Sequence, residues 1–357
     1  MTPTATLHRL RLNRRSEWLV VELTGGDGLA GYGECSDACD AETAATLLGR
    51  LVAGGVPSPD QAWRWAVAAG GDLPSRTIAS GLAAAWEDLN ARRAGQSLST
   101  WLGGGAVPDV PTYANINRGT TVRTSDGFAT HARSAVAAGY RAVKLAPFDG
   151  LEGSDRAEQG LVRVQAVRAA VGADVGVMVD VHHVLRRDEL LRIAPELRDL
   201  APTWVEDVAP LDEVGDLLAI KSALDCPLAG GEHIGDLADV RAAVVAGALD
   251  VVMPDVKHAG GARRTLDLAR RVWDMGCAVA LHNPTGPVAT ATSGQVLGAL
   301  GTGVLEIMVG EAGDREGSVV PRESVHGGYW RAPGATGIGL TLAGAAWDSE
   351  LGTRTWS

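Results

Sequence analysis

The stretch VGVMVDVHHVLRRDELLRIAPELRDLAPTWVEDV, residues 175–208, sets the architecture of the chain. An apolar run ends on Asp180 and a polar break follows; DELLRIAPELRDL then reads with helical period before a second apolar run ends on Glu206. The same rhythm starts near Val110. VPTYANIN, AVKLAP, VGVMVDVH, TWVEDV, PLAGGE, LDVVMPD, AVALHN and GVLEIMV are separated by helix-like stretches such as RAEQGLVRVQAVRAAVG and ARRTLDLARRVWDMG. Runs this apolar, without strict alternation, suit parallel strands covered on both faces. Eight such repeats in succession fit a closed α/β barrel, and the rhythm alone fits an open doubly wound sheet as well.

The first hundred residues follow another order. TATLHRLRL and SEWLVVELTGG read as strands and GGDGLAGYGE as a turn with a third. AETAATLLGRLVAGG, SPDQAWRWAVAAG and IASGLAAAWEDLNARRAG read as helices. Strands first and helices afterwards describe an α+β unit, not another barrel repeat. Past the eighth run the chain turns irregular through GGYWRAPGATGIGLTLAGAAW, which reads as a return to the first unit. The expected division is an α+β unit over 1–108, a barrel over 109–330 and a returning segment over 331–357.

Composition narrows the function. A chain of 357 residues exceeds the usual single core, so two domains are the starting expectation. A net charge of −11, with no basic run denser than Arg11 to Arg15, argues against nucleic acid as a partner. An acidic small molecule stays compatible, because a bound divalent cation reverses the local field. No apolar stretch approaches the length of a membrane helix, and the first residues lack the apolar core of a signal peptide, so a cytoplasmic protein is expected. Cys35, Cys39, Cys226 and Cys277 lack the paired spacing of a zinc site and read as free thiols.

The chemistry lies where the runs end. Lys144, Asp180, Glu206, Glu232, Asp255, His282 and Glu306 close seven consecutive runs, at the rim from which barrel active sites are built. Each alone has an ordinary explanation, a helix cap or an ion pair; the repetition at one station does not. Asp180, Glu206 and Glu232 on neighbouring strands make a hard oxygen site suited to Mg²⁺, and no thiolate stands near to suggest zinc. His282 and Asp255 stand on adjacent strands, where a carboxylate on one ring nitrogen raises the basicity of the other and makes His282 a candidate general base.

The pieces AVKLAP, VMVDVHH, WVEDVAP, GGEHIGD, VVMPDVKHAGG and LHNPTGPVATATS stand in the order found in the enolase superfamily. Over nearly its full length the chain resembles the mandelate racemase subgroup of that superfamily. GDGLAGYGE and GGYWRAPGATGIGL resemble its capping domain and C-terminal return. The resemblance implies a modified TIM barrel of (β/α)7β type with an α+β capping domain, and Mg²⁺ held by Asp180, Glu206 and Glu232. It further implies a base dyad of His282 and Asp255, an electrophilic or hydrogen-bonding glutamate at Glu306 with Glu311 as nearby competitor, and a symmetric homo-oligomer.

Two departures shape the expected reaction. Many relatives carry Lys-x-Lys at the end of the second strand, whereas this chain has Lys144-Leu145-Ala146. Lys144 is left to hold a substrate carboxylate or donate a proton, and a two-base racemase loses its second lysine. In DVHH, alternation puts His182 on the side of Asp180 and His183 on the other. That arrangement resembles the galactonate and mannonate dehydratases, in which such a histidine protonates the departing hydroxyl. With His282 as base and His182 as acid, the resemblance implies a hydro-lyase acting on an acid sugar or related hydroxy acid. A racemase, epimerase or cycloisomerase using Lys144 opposite His282 is the alternative, and a metal-binding barrel kept as a binding or regulatory protein is the alternative of another class. Asn115, Asn117 and Arg118 close the first strand and suit substrate hydroxyl or carboxylate groups, with a turn role for the asparagines as the other reading. Lys257, two residues past Asp255, reads as a substrate contact or a surface lysine. The loops near Gly25 to Gly28 and Ala38 to Thr43 are expected over the mouth.

Overall fold

The computed structural model describes residues 3–13, 16–311, 314–334, 336–344, 347 and 354–356. Strands β1 (Thr4–Arg11), β2 (Glu17–Thr24) and β3 (Ala30–Glu34) form an antiparallel meander. Helices α1 (Ala41–Val52), α2 (Pro59–Ala68), α3 (Leu73–Arg93) and α4 (Leu98–Trp101) follow. Asp40, Ser58, Asp72 and Ser97 cap them, each side chain accepting an amide three residues on. Helix α3 lies so close to β3 that a Cβ on Gly33 would stand 2.0 Å from the Gly81 carbonyl, which is why glycine occupies that position.

The eight apolar runs become strands β4 (Val110–Asn115), β5 (Ala142–Leu145), β6 (Gly176–Asp180), β7 (Trp204–Glu206), β8 (Leu228–Gly230), β9 (Val251–Val252), β10 (Ala278–Leu281) and β11 (Val304–Met308). They pair in parallel in chain order, and β11 returns to β4 with Leu305 opposite Thr112 and Met308 opposite Asn115. That last pairing closes the barrel and decides against an open sheet. Helices α5 (Ser125–Ala137), α6 (Arg156–Val171), α7 (Arg187–Asp199), α8 (Val214–Leu224), α9 (Ala238–Val245), α10 (Gly261–Asp274) and α11 (Pro287–Leu300) fill the seven connections. After β11 the described residues hold a 3-10 turn (Glu316–Ser318) and short strands: β12 (Val319–Val320), β13 (Val325–His326), β14 (Tyr329–Trp330), β15 (Thr341–Leu342) and β16 (Arg354–Trp356). The architecture is therefore a (β/α)7β barrel. β14 pairs with the start of β4, and β16 joins the first sheet with Trp356 opposite Ala5.

The α+β unit is fastened to the barrel through helix N-termini. Gly286 and Ala289, at the start of α11, donate their amides to Glu34 at 2.7 and 2.9 Å. At the start of α10, Ala262 donates to Glu87 at 2.7 Å and Gly260 to Ser80 Oγ at 2.9 Å. Carboxylates at helix N-termini satisfy otherwise orphaned amides and meet the favourable end of the macrodipole. Since these helices begin where the strands end, the contacts seat the α+β unit over the barrel mouth. No helix among the described residues is long and apolar enough to cross a membrane.

Around the outside, Glu189 on α7 takes a two-pronged pair from Arg156 on α6, at 2.9 and 2.7 Å, and the Arg186 amide at 2.8 Å. The hydrogen bonds from Arg156 bring its pKa down to about 2 from an ordinary 4.5. A depressed acid contributes stability that is complete above its unfolded pKa and is lost as the pH falls through the folded one. The thermal midpoint of Glu189→Gln is therefore expected below wild type at pH 6, with the gap closing as the pH drops from 4.5 toward 2. A gap that stays constant over that range in thermal melts would discount the pair.

Candidate active site

Strand alternation builds the site one layer above a packed floor. Tyr113, Met178, Trp204, Ala229, Val251, Met253 and Ala280 pack together in the barrel interior, with Tyr113 edge-on to Trp204 at 5.4 Å between ring centroids. Two residues further along stand Asn115, Asp180 and Glu206 on the same face of their strands, with Asp255 and His282 just past the ends of β9 and β10. The period of two that buries the floor thus delivers the polar layer to the mouth. Trp204 joins the layers, its Nε1 donating to Glu206 at 3.1 Å.

At the centre is Lys144. Its Nζ lies 2.5 Å from Glu206, 3.0 Å from Asp180 and 3.2 Å from Glu306, and all four side chains are buried. Burial favours the neutral amine, but the three carboxylates outweigh it and hold the lysine pKa well above its usual value. Glu306 is fixed by Asn115 Nδ2 at 2.7 Å and the Asn283 amide at 2.8 Å. Against burial, Lys144 and His282 keep its pKa below the ordinary range. Glu311 instead pairs with Arg118 at 2.9 Å and lines a separate cavity of about 390 Å³ with Arg315 and Glu323. Of the two glutamates, Glu306 faces the cluster.

Asp180 and Glu206 are register partners on β6 and β7, and their oxygens gather with one from Asp207 within 4.8 Å of one another. Glu232 lies past its strand, beyond Gly231 at φ +105°, and its carboxylate meets His282 Nε2 at 2.8 Å and His233 Nδ1 at 3.3 Å. Burial, then the charge of Asp180, pushes the Glu206 pKa well up; burial, then Glu232 and Asp180, takes Asp207 to about 8. Five acidic side chains thus share one ammonium and the nearby imidazoles. A set of hard oxygens this short of positive charge suits a divalent cation.

Two histidines flank the cluster. His282 has Asp255 Oδ2 at 2.8 Å from Nδ1 and Glu232 at 2.8 Å from Nε2. Burial opposes its charge, but Glu232 and Asp255 hold its pKa well above the usual value. His182 has Asp149 at 3.0 Å from Nδ1 and Asp180 at 2.9 Å from Nε2. Burial opposes this charge too, but hydrogen bonds to Asp149 and Asp180 push its pKa up to about 11, which makes it an imidazolium able to donate.

Several expectations need correcting. Alternation does not place His182, because β6 ends at Asp180; both His182 (φ +48°) and His183 (φ +53°) are in the left-handed region, and that turn brings His182 back onto Asp180. His183 is not turned away: with Arg76, Asp207, Glu232 and His233 it lines a cavity of about 350 Å³ at the mouth. The asparagines also have internal partners. Asn115 orients Glu306, and Asn117 Oδ1 accepts the Ala146 amide at 2.5 Å, a turn role. Lys257 is no surface lysine, since its Nζ is buried 2.5 Å from Asp255. Asp149 and Asp207 went unnoticed in the sequence. The first sits in a loop past its strand, and the second is next to Glu206, where strict alternation would aim it outward; at Asp207 a φ of +51° cancels that rule.

The family model described as enolase C-terminal domain-like matches residues 127–346. The chain belongs to this family. Among relatives of this enolase-family chain, a D-gluconate dehydratase from Thermoproteus tenax is 30% identical over 225 residues, 62% of this chain and 45% of the relative. A D-galactarolactone cycloisomerase from Agrobacterium fabrum is 27% identical over 260 residues, 71% of this chain and 67% of the relative. The chain thus spans less than half the length of the first of these and two thirds of the second. The fold matches a solved member of the enolase superfamily from Salmonella Typhimurium with a TM-score of 0.86 at 20% identity, covering 99% of each chain.

Proposed function

We propose that this enolase-family chain is a Mg²⁺-dependent hydro-lyase that removes the proton next to a carboxylate and expels the β-hydroxyl of an acid sugar or related hydroxy acid. The observation behind this reading is a pair of imidazoles on one carboxylate cluster that share no partner: His282 between Asp255 and Glu232, and His182 between Asp149 and Asp180. One is placed to accept a proton and the other to give one. Relatives named for dehydration of D-gluconate and for cycloisomerisation of D-galactarolactone support an acid sugar as the substrate class.

Asp180, Glu206 and Glu232 would hold the cation, with Asp207 beside them. Mg²⁺ in that place supplies Lewis-acid stabilisation of charge developing on the substrate carboxylate. His282 would take the α-proton on Nε2, the nitrogen opposite Asp255, after Glu232 has turned from the ring to the cation and the proton which that carboxylate holds on Nε2 has left to solvent. Lys144 is a fixed cation among three carboxylates, so it steadies the anionic enediolate and does not serve as a second base. Glu306, ionised beside it, orients that ammonium. His182 protonates the departing hydroxyl, which leaves as water; the enol then becomes a 2-keto-3-deoxy acid.

The pinned lysine favours this reading over a racemase or epimerase, which needs a proton acceptor on the second face. A panel of aldonates and aldarates, incubated with enzyme and Mg²⁺ in deuterated water, tests it directly. Semicarbazide-reactive keto acid is expected from at least one member; exchanged or isomerised acid with no keto acid would transfer the assignment to an isomerase. Dialysis against EDTA is expected to lower turnover by about 10²-fold or more, with recovery on adding Mg²⁺. Without substrate, Mg²⁺ at about 100 times its Kd should stabilise the fold by roughly 2.7 kcal/mol in wild type and far less in Asp180→Asn. Equal stabilisation of both would place the cation elsewhere.

A further inference from the structure

We propose that Lys257 is a positioning residue for the His282 base, fixing the Asp255 carboxylate that orients the imidazole. The grip is two-handed. The Lys257 amide donates to Asp255 Oδ1 at 2.7 Å, and its Nζ reaches back to Oδ2 at 2.5 Å. Oδ2 is also the atom 2.8 Å from His282 Nδ1. One residue therefore holds both oxygens of the carboxylate and sets the plane in which it meets the imidazole.

The arrangement is sealed. The side chains of Lys257 and Asp255 are both 0% exposed, so neither finds water as a substitute partner. Lys257 is the one lysine or arginine within 4 Å of Asp255 among the described residues. His258 is the other neighbour, but its Nε2 is 3.8 Å away, and its Nδ1 lies 2.9 Å from Thr77 on α3, in the α+β unit. Burial keeps His258 neutral, with a pKa down to about 3. A buried ammonium is costly unless paired, and this one has its pairing in Asp255. A carboxylate held by its hydrogen bond to histidine alone could swing about its Cβ–Cγ bond; the lysine removes that freedom before substrate arrives, and loss of such positioning reduces turnover more than binding.

This inference rests on the base role of His282, and the experiment separates the two. Lys257→Met, Asp255→Asn, the double variant and His282→Asn are compared on whichever aldonate or aldarate of the panel is turned over fastest. Lys257→Met is expected to lose about 10–100-fold in kcat, with KM within about twofold of wild type. Because the lysine acts through Asp255, adding Lys257→Met to Asp255→Asn should cost nothing further. Wild-type kcat in Lys257→Met, or a double variant that multiplies the two single losses, would overturn the proposal. If Lys257→Met strands its carboxylate and fails to fold, Asp255→Asn against the double variant decides by the same criterion. A readout free of substrate is the downfield proton resonance of the His282 Nδ1–H, assigned by its loss in His282→Asn. It should move upfield or broaden away in Lys257→Met, and an unmoved signal counts against the grip. Wild-type α-exchange in His282→Asn would sink the base reading itself, a result distinct from any outcome at Lys257.

Discussion

His282→Asn is expected to cut turnover by about 10³–10⁴-fold and to abolish incorporation of deuterium at the α-carbon. The imidazole is buried at the rim with one nitrogen committed to Asp255, so Nε2 is its working nitrogen. Asparagine is close to the ring in size and keeps a polar contact for Asp255, yet it cannot accept a proton near neutral pH. Lys144 and Glu306 lie on β5 and β11 and are held by their own partners, so KM should change little. The variant is best read by NMR of recovered substrate, since exchange reports proton removal even where no water is lost. Exchange at the wild-type rate would remove His282 from the role.

The second large effect is a separation of steps. His182→Asn should leave α-exchange within several-fold of wild type while keto-acid formation falls about 10²–10³-fold. The physical ground is that His182 meets Asp149 and Asp180 whereas His282 meets Asp255 and Glu232, so the two imidazoles share no partner. Loss of a proton donor should then slow departure of the hydroxyl without disabling the base. Since His182 touches Asp180, Mg²⁺ affinity measured by calorimetry should accompany the kinetics. Equal loss of exchange and product, with unchanged affinity, would contradict a dedicated acid.

Much of this was legible in the sequence for definite reasons. A strand sandwiched between barrel interior and helix must be apolar on both faces, so a charged residue ending such a run stands out. Asp180, Glu206, His282 and Glu306 were visible on that ground. The pattern is silent once the backbone leaves the strand. β9 has only two residues, and Asp255 and Glu232 sit in the loops beyond their strands; the contact of Asp255 with His282 was expected from adjacent strands, whereas that of Glu232 with the same imidazole was not. Asp207 was hidden by a left-handed residue, and Asp149 by a loop that brings it across to His182. The direction of Lys257 was likewise unreadable: sequence placed it near the mouth, while the folded chain turns its ammonium onto Asp255. Closure of the barrel depended on β11 meeting β4, a pairing between distant segments that no local pattern encodes.

The meeting of β1 with β16 has a consequence for the order of assembly. One edge of β1, whose other edge pairs with β2, waits for a partner made only after every barrel strand has been synthesised. Such distant pairings are slow to form because the intervening chain must first be organised. Floor and polar rim can therefore assemble while the edge of the covering sheet is still open, and β16 completes that edge. Maturation of the reaction chamber from the bottom upward is thus written into its connectivity.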